Sequence, residues 1–267
     1  MDVAARLAAR GLDAHALTRG YGGTAFGPQR VMPEDDPHEV GDEALLLARN
    51  GPTWVADDRV RGCREAVNAG AGAIVFDDGF QDPTVARDLS LIVVDGGYGF
   101  GNGRMIPAGP LRETVPTGLR RADAVVLIGE DRCDVERAVG GRTPILRARS
   151  LLGPTVETLK RKPVLAFAGI GRPEKFFDDL SAAGLDVAGQ RAFADHHHFD
   201  DRELQALQAG ASEKNAVLVC TEKDWVRLSN AWRDRVTPVS MSLAWDDPAA
   251  LETLLDKAQT KGGDRDG

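Results

Sequence analysis

The chain has 267 residues, an apolar fraction of 42% and a formal net charge of −8. That length supplies one or two domains with a sizeable core, the composition excludes disordered and fibrous architectures, and the acidic balance argues against a protein built to coat nucleic acid. Cys63, Cys133 and Cys220 form neither a disulfide framework nor a zinc ribbon, as expected in a reducing cytosol, and the longest stretch without Asp, Glu, Lys or Arg is the eleven residues 66–76, short of the roughly 18 needed to cross a bilayer.

From the N-terminus, the pattern predicts a helix over 3–10, a strand over 14–18, helices over 40–49 and 59–69, and strands over 71–76, 91–95 and 124–128. A strand over 164–168, helices over 173–183 and 201–211, strands over 216–220 and 236–241, and a helix over 248–258 follow. The strands are short runs of Val, Ile, Leu and Ala, as in parallel sheets buried on both faces. Gly11, Gly70 and Gly184 stop three of the helices. Alternation of this kind predicts an α/β fold. Pro154 and Pro163 bracket a polar segment taken as the boundary between a lobe over 1–150 and a smaller one over 151–259, with 260–267 a flexible tail. No basic region followed by an apolar core marks a signal peptide. In doubly wound sheets a helix such as the first one follows a strand and a phosphate-binding loop. Neither precedes it here, which reads as an unusual fold or a sheet whose first element is missing.

Several motifs carry chemistry. Asp77-Asp78 closes an apolar strand, as in a Walker B site whose aspartate serves Mg²⁺, or else forms a pair of turn aspartates ahead of Gly79. Asp95 leads into the glycine-rich run 96–103, a weakly specific feature. Arg112-Glu113 follows two prolines and offers a phosphate-suited cation beside a metal-suited carboxylate, or an exposed surface pair. Asp42 and Glu43 stand at a helix start, where they serve the helix dipole or act as a base or metal ligand. Asp195-His196-His197-His198 reads as an acid–base or orienting pair or as a surface loop; consecutive histidines cannot all face one way, which argues against a zinc site built from them alone. Thr221–Asp224 reads as a helix cap, and Gly169-Ile170-Gly171 as a turn or an anion site.

In order along the chain, Arg19-Gly20-Tyr21-Gly22-Gly23, Gly41-Asp42-Glu43, Asp77-Asp78-Gly79-Phe80-Gln81, Gly101-Asn102-Gly103, 107–113, Gly169-Ile170-Gly171, Asp195-His196-His197 and 221–224 together resemble the tetraacyldisaccharide 4′-kinases, the lipid A kinases of Gram-negative bacteria, from about residue 3 to about 245. The resemblance implies a P-loop NTPase-like parallel sheet with helices on both faces and a smaller α/β C-terminal lobe. It implies transfer of the ATP γ-phosphoryl group to the 4′-hydroxyl of a tetraacylated glucosamine disaccharide 1-phosphate, giving lipid IVA. Asp42 would be the general base and His196 its orienting partner; Asp77, Asp78 and Glu113 would serve Mg²⁺; Arg112, Arg19 and Tyr21 would contact phosphates and substrate. The family works peripherally at the cytoplasmic face of the inner membrane, and Arg120-Arg121 is one candidate contact for an anionic lipid surface.

Two departures stand out. Gln81-Asp82 replaces the family's usual Gln-His, and the glycine-rich Walker A loop, the strand before it and the N-terminal membrane-associating helix have no counterpart in this sequence. The expectation is therefore a kinase whose chain is shortened at its N-terminus, inactive and of reduced stability without the phosphate cradle. The rival readings are a lipid- or partner-binding remnant without turnover, and a metal-using enzyme built on Asp77, Asp78 and His196–His198.

Overall fold

Short apolar runs become strands wherever they can be covered on both faces. A computed structural model describes residues 1–263. Among them the strands are β1 (Ala14–Thr18), β2 (Gln29–Val31), β3 (Thr53–Val55), β4 (Ala73–Phe76), β5 (Leu91–Asp95), β6 (Ala124–Ile128), β7 (Ile145–Leu152), β8 (Val164–Ala168), β9 (Val187–Ala192), β10 (Val217–Thr221), β11 (Thr237–Val239) and β12 (Met241–Trp245).

The chain divides into two compact units, each assembled from two separate segments. The first comprises Met1–Asp77 and Leu152–Ser242, the second Asp78–Leu151 and the segment from Leu243 onward. Both units therefore draw on the segments 1–150 and 151–259, so the expected lobes do not describe them. The 150–162 region is not a plain linker, since it holds the end of β7 and the helix Thr155–Leu159. Likewise 260–263 continue the helix Pro248–Gly263 rather than starting a tail; the remainder of the expected tail lies outside the described residues.

The first unit contains two four-stranded sheets, ordered β2-β3-β1-β4 and β11-β10-β8-β9. In the former only β2 runs antiparallel, against β3. The latter is parallel throughout. Its strand β8, VLAFA, shows why a continuous apolar run is needed. Val164, Ala166 and Ala168 pack with Phe176, Phe177 and Leu180 from the helix Pro173–Ala182. Leu165 and Phe167 pack with Leu204, Leu207 and Ala211 from the helix Asp201–Glu213. That second helix begins with a capping box in which the Asp200 side chain accepts from the Glu203 N–H while the Glu203 side chain accepts from the Asp200 N–H.

In the second unit the sheet order is β12-β7-β6-β5, with β7, β6 and β5 parallel. Gly11, Gly70 and Gly184 adopt φ of +84°, +99° and +82° just past their helices, as the glycine stops require. No helix among the described residues is long and apolar enough to cross a membrane.

Candidate active site

The centre of the first unit's polar chemistry is Asp42, the first residue of the helix Asp42–Ala48, only 6% exposed. Gly41 makes that placement possible. Its φ of +88° and ψ of +147° belong to a region almost closed to other residues, and a Cβ there would stand 2.8 Å from the Tyr21 carbonyl oxygen. Gly41→Ala is expected to cost about 1–3 kcal/mol, read as a lower denaturation midpoint, and to displace Asp42.

Asp42 Oδ2 lies 3.0 Å from His196 Nδ1 and accepts from Arg227 Nε at 2.8 Å. Asp42 Oδ1 accepts from the Glu43 backbone N–H at 2.9 Å. The other ring nitrogen of His196 lies 3.4 Å from Lys223 Nζ, and Lys223 also donates to Glu43 Oε1 at 3.1 Å. An ammonium has only N–H groups to offer, so its approach assigns a lone pair to Nε2 and the proton to Nδ1, which then donates to Asp42. The Tyr21 ring, 75% exposed, stands edge-on to His196 with centroids 6.1 Å apart.

Three histidines in a row go three ways, as their spacing demands. His196 meets Asp42, His197 Nε2 pairs with Glu203 Oε2 at 2.9 Å, and His198 stacks on His38 at 4.2 Å. The His197 contact pulls the Glu203 carboxyl below its ordinary range, and burial lowers the His198 imidazole. Among the described residues no three His, Cys, Asp or Glu side chains are grouped to hold a metal ion.

Beneath Asp42, the side chain of Arg227 is 1% exposed and that of Asp224 fully buried. Arg227 Nη1 donates to Asp224 Oδ1 at 3.1 Å and to the Gly169 carbonyl at 2.9 Å, while Asp224 accepts from the Gly169 N–H at 2.9 Å and the Thr221 hydroxyl at 2.6 Å. The expected cap is present, with the Asp224 N–H donating to Thr221 Oγ1 at 3.1 Å. The Asp224 carboxylate goes further and binds the 169 turn, and both backbone polar groups of Gly169 are engaged by protein. Burial raises the Asp224 carboxyl above its ordinary value, outweighing the Thr221 hydroxyl, the Arg227 and Lys223 cations and the Gly169 N–H, which all lower it. A carboxyl raised on folding contributes most below its ordinary range and loses stability as pH climbs through the raised value. Comparing Asp224→Asn with wild type by denaturant unfolding across that window, the stability difference is expected to shift toward the variant as pH rises.

Other sequence-predicted residues lie elsewhere. Asp77 ends the first unit just after β4, where its carboxylate accepts from the Thr18 hydroxyl at 3.5 Å and its carbonyl from Arg59 at 3.0 Å. Arg19 follows directly on β1. In the second unit, Arg112 pairs with Asp78 at 3.3 Å, both largely exposed, and Glu113 pairs with Arg121. Arg121 also lies over the Phe80 ring at 4.5 Å, so this candidate for an anionic lipid surface is already engaged within its own unit. Arg227 is not singled out by sequence, and Lys223 only as a member of the Thr221–Asp224 cap; the available signal was a basic residue three positions after Asp224, in the turn that follows its helix.

A model described as tetraacyldisaccharide-1-P 4′-kinase, LpxK, matches residues 1–260. The chain belongs to this family. It is 52% identical to a tetraacyldisaccharide 4′-kinase of Rhodospirillum centenum over 96% of this chain and 76% of that one. Another from Gluconacetobacter diazotrophicus is 51% identical over 96% and 79%. The crystal structure of LpxK from Aquifex aeolicus in complex with ATP shares the fold at a TM-score of 0.77 and 24% identity, covering 96% of this chain and 82% of that one. The α/β fold of that structure and membership of a lipid-kinase family are thereby established for this chain.

Proposed function

We propose that this kinase transfers the ATP γ-phosphoryl group to the 4′-hydroxyl of a tetraacylated glucosamine disaccharide 1-phosphate, giving lipid IVA. The observation that carries the reading is the Asp42–His196 contact of 3.0 Å in a member of this family. The bond that forms joins the 4′-oxygen to the γ-phosphorus, the bond that breaks joins that phosphorus to the β,γ-bridging oxygen, and ADP leaves.

Asp42 receives the hydroxyl proton. Its Oδ2 is occupied by donors from His196 and Arg227, whereas among the described residues Oδ1 accepts the Glu43 N–H alone, so Oδ1 keeps a lone pair for the incoming proton. His196 fixes the orientation of the carboxylate while that proton moves. Tyr21 and Arg19, on the loop after β1, contact the substrate, and Arg112 the phosphates.

Mg²⁺, when bound, neutralises developing charge on the phosphoryl oxygens. Asp77, Asp78 and Glu113 offer the oxygen donors that this hard cation prefers. The fit is closest at Asp77, at the carboxyl end of a parallel strand and beside a hydroxyl. One or two carboxylates would suffice to hold it. The acylated substrate places the work at the cytoplasmic face of the inner membrane, with peripheral attachment.

The test is transfer of labelled phosphate from γ-labelled ATP to the purified disaccharide, with the product identified by mass. Labelled lipid IVA is the expected result. Binding of the lipid without transfer would overturn the reading in favour of a non-catalytic remnant, an alternative that draws no support from relatives named as kinases.

A further inference from the structure

Arg227 stands outside every motif that suggested chemistry, yet its guanidinium ends in one cluster. Nε donates to Asp42 Oδ2 at 2.8 Å, and Nη2 lies 2.8 Å from the same oxygen without the alignment of a hydrogen bond. Nη1 donates to Asp224 Oδ1, to the Gly169 carbonyl and, at 3.4 Å, to the His197 carbonyl. The Gly169 carbonyl also accepts from the His196 N–H at 3.1 Å. His196 itself sits at φ +56°, a conformation uncommon outside glycine that must be held by its surroundings. One planar group therefore ties the Asp42 carboxylate, from the helix after Gly41, to the carbonyl that anchors the His196 backbone, from the loop after β9.

We infer that Arg227 is the positioning residue of the Asp42–His196 pair, fixing the carboxylate oxygen that His196 Nδ1 meets and the backbone turn that delivers His196 to it. It directs its own N–H groups into protein rather than toward a reacting atom. This role rests on the reading of Asp42 as the base. Asp224 is the counterion that lets a second carboxylate share the cation, and Gly169 is the hinge point common to both grips. A lysine supplies the same charge with a compact ammonium instead of a planar fork, so it keeps the attraction to Asp42 and loses part of the geometry.

The experiment is nitrogen NMR of the His196 imidazole in ¹⁵N-labelled protein, read beside steady-state kinetics for wild type, Arg227→Gln and Arg227→Lys. Wild type is expected to show a protonated Nδ1 and an unprotonated Nε2. In folded Arg227→Gln the Asp42 oxygen that holds the Nδ1 proton is no longer fixed, and Lys223 at 3.4 Å from Nε2 is expected not to keep the pattern alone; mixed tautomers are expected, with kcat lowered about 30-fold or more and KM for ATP and lipid within about threefold. Arg227→Lys is expected to keep the tautomer and to recover kcat to within about tenfold of wild type. A folded Arg227→Gln protein with the wild-type imidazole pattern and wild-type kcat would overturn the inference. Should that variant lack near-UV circular dichroism, Arg227→Met/Asp224→Asn removes the buried cation together with its buried anion, and an unchanged tautomer there overturns it equally. Wild type that transfers no phosphate defeats the base reading instead, while the imidazole pattern still decides whether Arg227 positions the pair.

Discussion

Asp42→Asn is expected to lower kcat for phosphorylation of the disaccharide by about 10²–10⁴-fold, the range spanned by removal of a positioned general base. The substitution keeps the size of the side chain and one carbonyl oxygen able to accept from Arg227, so the helix start and the buried cation retain a partner. What disappears is a carboxylate able to take the hydroxyl proton. KM for both substrates is expected to stay nearly constant, since a group acting in the transition state contributes little to ground-state binding. Initial-rate measurements with labelled ATP check both statements. Wild-type kcat in the asparagine variant would sink the base assignment. Asp42→Ala is the poorer choice, because it leaves the buried guanidinium facing a void and confuses loss of chemistry with loss of fold.

Phe167→Ala is expected to destabilise the protein by about 3–5 kcal/mol, the usual range for a fully buried aromatic side chain. Phe167 is wholly buried at the middle of β8, edge-on to Phe199 at 5.1 Å and to Phe193 at 6.4 Å. Those two rings in turn pack on His197 at 5.0 and 4.7 Å. The cavity therefore opens directly beneath the loop that presents His196. For a unit of this size the loss corresponds to a fall in Tm of about 6–20 °C. Thermal unfolding followed by circular dichroism measures it, and a shift under about 2 °C would show that neighbouring rings collapse into the space.

Much of the fold was legible because the strands that build it are continuous apolar runs. β1, β5, β6 and β8 coincide with the predicted bounds, and the helices after Gly41, Asp58 and Arg172 start within two residues of expectation. What was missed has different physics. β7 alternates Arg147 and Arg149 with buried residues, β9 carries Gly189, Gln190 and Arg191, and β2 and β3 have three residues each. None forms an apolar run long enough to see. The predicted strand over 236–241 is two strands that join different sheets, β11 and β12. In the site, Asp42 and His196 were visible as motif members, whereas Arg227 was not. A buried guanidinium is defined by the carboxylates folded around it, and one of the two here, Asp42, lies 185 positions away in the chain.

That distance has a consequence for how the protein is made. Asp42 and His196 are separated by 154 positions, and Asp42 and Arg227 by 185, within a single compact unit. At a synthesis rate of about 5–20 residues per second, the helix bearing the carboxylate leaves the ribosome about 8–30 s before the imidazole does, and its cation follows later still. During that interval the second unit's Asp78–Leu151 segment emerges between the two halves of the first. All four strands of the β2-β3-β1-β4 sheet lie in the nascent N-terminal segment, yet its acid stays solvated until its partners emerge, and long-range closure comes last. Assembly of the acid–imidazole pair thus reports that translation has passed residue 196.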